Sequence, residues 1–98
     1  MTNKTTMINA FHAQGMVAHL MHAYTCGLVK IGHITTSTGS TCTRVDIFCD
    51  TMSEQKDVEK LVRCWMRDGD SLENKYLVGV DCYVLTWEAE NSDWKTLN

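Results

Sequence analysis

An α+β domain is the fold class this sequence predicts, with two helices packed on a mainly antiparallel three-stranded sheet in a two-layer sandwich. Three observations lead there. Apolar residues recur at helical spacing before Gly27, two Val/Ile/Thr-rich runs flank a short loop containing Gly39, and a helix-start signature at Thr51 precedes a second amphipathic stretch. A length of 98 residues suits one domain spanning 1–98. Hydrophobic residues at 44% and charged residues at 21% exclude a disordered tail or a coiled-coil rod.

The first helix is expected over about Thr6 to Cys26, with Thr5 or Thr6 as N-cap and Gly27 as the stop. At 100° per residue Ala10, Ala13, Met16, Val17, Leu20, Met21 and Tyr24 share the side expected to face the core. Gly15 weakens the middle of this helix or breaks it. Leu28 to Thr36 and Cys42 to Asp50 are expected to form a β-hairpin. In its second strand Thr43, Val45, Ile47 and Cys49 make the better core face, and Cys42, Arg44, Asp46 and Phe48 the other.

The second helix is expected to start at Thr51 or Ser53, where Thr51 and Glu54 fit a capping box, and to close at Gly69. Its apolar stripe is Val58, Leu61, Val62 and Trp65. After a turn region from Asp68 to Ser71, Tyr76 to Trp87 is expected to be one long strand, with a bend or bulge at Gly79. The resulting order is α-β-β-α-β. The exposed edges of so small a sheet, and Ile8 and Phe11 lying outside the first helix's stripe, leave room for a homodimer.

Five cysteines, Cys26, Cys42, Cys49, Cys64 and Cys82, are odd in number and irregular in spacing, which favours free thiols in a reducing cytoplasm. Met1 to Phe11 has one Lys and no unbroken apolar run, and no stretch approaches the roughly 18 apolar residues of a membrane span, so a soluble, unexported protein with no membrane partner is expected. Charge is distributed unevenly. Residues 1–45 hold Lys4, Lys30 and Arg44 and no acid, whereas residues 46–98 hold all twelve acids against six bases, within a net charge of −3.

From Asp68 to Trp94 seven acids face one base, Lys75. Asp68, Asp70, Glu73, Glu88, Glu90 and Asp93, with Trp87 and Trp94 as aromatic anchors, are therefore the candidate protein-binding residues. The alternative is a set of solvated acids on loops and a tail. A basic stripe, Lys56, Lys60, Arg63 and Arg67, lies within about 60° of arc on the second helix and is the alternative nucleic-acid-binding face. Acidic surroundings oppose that use, and direct binding of nucleic acid is not the leading expectation. His12, His19, His22 and Cys26 share a face of the first helix. His19, His22 and Cys26 are candidate zinc ligands, with His33, Cys42 or Cys49 completing the shell, although nothing in their spacing makes them converge. The same histidines also suit a pH-responsive interface.

No pattern of catalytic residues stands out. His22 and Cys26 are four apart, but Cys26 would sit at a helix C-terminus, where the macrodipole disfavours a thiolate. In size, acidic character and missing catalytic motifs the chain resembles the small acidic proteins with which bacteriophages block host defence, anti-CRISPR proteins among them. With the free thiols and the missing catalytic motifs, the expectation is a cytoplasmic, non-enzymatic binding protein without a cofactor that acts through its acidic turn and tail. It would occupy the basic surface of a nucleic-acid-handling protein.

Overall fold

The computed structural model describes residues 17–39 and 42–90. Helix α1 covers 17–25 of these. It is followed by β1 (His33–Thr38), β2 (Cys42–Cys49), α2 (Met52–Trp65), β3 (Ser71–Leu77) and β4 (Cys82–Glu90). The fold is α+β with a four-stranded sheet in the order β1-β2-β4-β3, and every neighbouring pair is antiparallel. The chain leaves β2 for α2, returns at the far edge as β3, and then inserts β4 between them.

The expected single strand from Tyr76 to Trp87 is thus two strands. Residues 78–81 reverse the chain between Leu77 and its partner Cys82. The amide of Val80 donates to the carbonyl of Leu77 at 3.3 Å, and Asp81 takes φ 50°, a left-handed conformation that Asp tolerates better than most residues. Val78 and Val80 disguise this turn as strand by composition. The polar run Ser71–Lys75 conceals the start of β3, because an edge strand exposes most of its side chains to water.

Alternation sets the core. Val45, Ile47 and Cys49 of β2 and Leu85, Trp87 and Ala89 of β4 are buried on one face, joined by Leu20 and Ala23 of α1 and Val58 and Val62 of α2. Both helices therefore contribute to the core on the same side of the sheet. Thr43, Val45, Ile47 and Cys49 are the inward set, as the sequence predicts.

α1 is rotated from the expected orientation. Leu20 and Ala23 are its buried residues and Val17 is half-buried, while Met21 and Tyr24 stand 46% and 47% exposed. They overhang β1, beyond which no further strand lies among the described residues. The rest of the expected stripe, with Thr5, Thr6, Ile8, Phe11 and Gly15, lies outside the described residues. Gly27 stops the helix as expected: at φ 80° it lets Leu28 donate to the carbonyl of Ala23 at 2.9 Å and its own amide to Tyr24 at 3.1 Å.

α2 opens on the expected capping box, with Glu54 N donating to Thr51 Oγ1 at 3.1 Å and Thr51 N to Glu54 Oε1 at 3.2 Å. It ends earlier than expected. Met66 is already extended, and Gly69, at φ 96°, belongs to the turn that leads into β3. None of the described helices is long and apolar enough to cross a membrane.

Candidate protein-binding surface

Asp70 and Trp87, both expected to meet a partner, instead face each other inside the fold. Trp87 is 1% exposed and fills the centre of the core, and the Asp70 side chain is 2% exposed. The indole Nε1 donates to Asp70 Oδ2 at 2.9 Å, the amide of Arg67 donates to the same oxygen at 3.0 Å, and the Arg67 guanidinium lies 3.7 Å away. A carboxylate so far from water must be paired, and this one ties the end of α2 to β4.

The remaining acids do not gather into one site. Asp68 is exposed in the turn. Glu73 is on the outer sheet face and pairs with Lys75 at 3.1 Å. Glu88 shares that face opposite Arg44, with the Cys42 thiol 3.7 Å away. Glu90 ends β4 opposite Cys42, its side chain outside the described set, and Asp93 and Trp94 lie beyond the described residues. Asp81 is at the other end of the sheet, since Cys82 pairs with Leu77 whereas Glu88 pairs with Ser71.

The basic stripe is also broken up. Lys56, Lys60 and Arg63 are exposed along α2, but Arg63 is clamped to Glu59 at 2.7 Å, and Arg67 lies past the helix end beside Asp70. Glu59 also accepts from Asn74 at 3.0 Å; that hydrogen bond, then Arg63, holds its carboxyl below the usual range. Two lysines give little grip on a phosphate backbone.

The zinc candidates separate. The His19 ring stacks on Trp65 with centroids 5.1 Å apart, while His22 and Cys26 are exposed, Nε2 and Sγ lying 3.6 Å apart. Their i, i+4 spacing brings that pair together, but no group of three or more metal-ligating side chains forms among the described residues. His12 lies outside them. Cys49 is buried, and burial, then Glu54, pushes its thiol up to about 11, which makes it a poor ligand and a poor nucleophile.

The turn at 78–81 stands out instead. Val78 is 79% exposed and Val80 68%, beside the exposed Leu77, in a segment where turn chemistry favours polar residues. Tyr76 and Asp81 brace its base, the Tyr76 hydroxyl donating to Oδ1 of Asp81, which raises the tyrosine's ionisation above its usual range. The Tyr76 and Tyr83 rings pack beneath, with centroids 4.8 Å apart. Because Cys49 pairs with Tyr83, Asp50 and the start of α2 lie at this same end of the sheet, where Met52 is also half exposed. The end therefore combines apolar side chains with the carboxylates of Asp81 and Asp50.

Sequence reasoning missed this cluster because it assigned Val78 and Val80 to the interior of a strand. It also missed Gln55. That side chain is buried, donating through Nε2 to the carbonyls of Val84 at 2.9 Å and Lys75 at 3.4 Å, so it anchors α2 to the base of the same hairpin. The first turn of an amphipathic helix gives no sequence signal for such a role. No family model matches the chain, and no curated protein or solved structure matches it.

Proposed function

We propose that the protein is a non-enzymatic binding protein that occupies a basic partner with the end of its β3–β4 hairpin. Val78 and Val80 enter an apolar recess on the partner, and Asp81 and Asp50 face its cations. The exposure of Leu77, Val78 and Val80 together at a braced turn carries this reading, because a contiguous exposed apolar patch marks an interaction surface where scattered single residues do not. Gln55 and the Tyr76–Asp81 bond hold the turn in place, which limits the entropy lost on docking. A net charge of −3 favours encounter with a basic surface, and a nucleic-acid-handling protein is the partner class that fits.

The test uses the full chain carrying a photoreactive residue at Val78 or, separately, at Lys60, irradiated in cells of its source. The expected result is a crosslink from position 78 to a protein of net positive charge, lost when Val80→Asp is added. Purified partner should lose nucleic-acid binding on addition of one equivalent of wild-type protein, and retain it with Val78→Asp and Val80→Asp. Crosslinking from position 60 alone, or an acidic partner at position 78, would contradict the proposal.

A further inference from the structure

The opposite edge of the sheet offers a second surface, independent of the β3–β4 turn. β1 reads His-Ile-Thr-Thr-Ser-Thr and, among the described residues, has β2 as its one strand neighbour; all its residues are exposed except the half-buried Ile34. It contains no Asp, Glu, Lys or Arg, no proline and no break in its pairing with β2, the features that usually keep an edge strand from adding another. The one cation in register with it, Arg44 opposite Ser37, is neutralised by Asp46, with Nε 3.1 and 3.2 Å from the carboxylate oxygens. Alongside runs a groove of about 390 Å³ between α1 and β1, lined by Met21, Tyr24, Ile31 and Ile34 among others.

We infer that β1 pairs antiparallel with β1 of a second copy, joining two four-stranded sheets into one about a two-fold axis. Directly opposed residues of an antiparallel pair lie on the same face, so the axis must pass through a residue facing its own copy. Centred on Thr35, the pairs are His33 with Ser37 and Ile34 with Thr36. Centred on Thr36, they are Thr35 with Ser37 and Ile34 with Thr38. In neither register do like charges meet, and a threonine faces itself at the centre, a favourable cross-strand pair. The same axis keeps both copies of α1 on one side of the joined sheet. Their Met21 and Tyr24 side chains approach across it and cover the groove. A self-complementary, uncharged edge flanked by overhanging apolar side chains therefore suits a second copy of this chain.

Sedimentation of the full chain, with Thr35→Lys plus Thr36→Lys as the test variant and Ser71→Lys on β3 as the control, examines this. Wild type and Ser71→Lys should sediment at twice the chain mass and dissociate on dilution. The double variant should associate about tenfold or more weakly, because lysines then face lysines in either register. Isotope-filtered contacts between Thr35 or Thr36 methyl groups of labelled and unlabelled wild-type copies should be seen, and they keep the test valid if the double variant unfolds. A wild-type chain that stays monomeric at NMR concentrations overturns the inference, as does a dimer lacking those contacts or one that the double variant leaves intact.

Discussion

β1 and β3 are the two edges of one sheet, yet they are built on opposite terms. β3 carries Glu73 and Lys75, paired at 3.1 Å. It is entered through the Arg67–Asp70–Trp87 cluster and fixed near its end by Gln55. β1 carries Thr and Ser where β3 carries ions, and the helix beside it leaves Met21 and Tyr24 about half exposed. The contrast teaches that this fold spends its buried polar contacts on the hairpin that presents Val78 and Val80. Among the described residues the other edge has β2 as its strand neighbour and no such polar contacts.

The largest expected effect of breaking that contrast is on stability. Asp70→Ala strands the indole N–H of Trp87 and the Arg67 amide in the interior, which should cost about 2–4 kcal/mol in urea unfolding. Met21→Ala on the β1 side, measured at concentrations where the chain is monomeric, should cost less than about 1 kcal/mol because the side chain is already half in water. Comparable losses at the two positions would erase the distinction.

Between the edges, Cys49 reports on the shared core through pH. An unfolded thiol ionises near 9.0, whereas Cys49 keeps its proton to about 11. Over that interval the unfolded chain gives up a proton that the folded chain retains, so stability should fall as pH rises, by at most about 3 kcal/mol. Below 9.0 the contribution is fully present. Urea midpoints measured from about pH 8.5 to about pH 10.5 should decline in wild type and decline less in Cys49→Val, which preserves the packing. Equal slopes would mean that the thiol is not held in a desolvated site.

Much of the frame was legible from local pattern. The capping box at Thr51 and Glu54, the stop at Gly27 and the alternation of Thr43, Val45, Ile47 and Cys49 depend on neighbours in sequence, and the structure contains all three. Contacts between distant segments were not legible. Asp70 lies in an acidic run and looks like surface until β4 brings Trp87 against it. Met21 looks like core until β1 proves to be the last strand on its side among the described residues. The β3–β4 turn escaped for a third reason: its valines match strand composition, and the reversal rests on the backbone of Asp81, whose positive φ sequence alone does not announce.

Hydrogen exchange of backbone amides in β1 and β3, followed as protein concentration is raised, tests the contrast between the edges most directly. Protection should grow with concentration along His33–Thr38 and stay constant along Ser71–Leu77. Equal growth at both edges, growth confined to β3, or no change at either would contradict it.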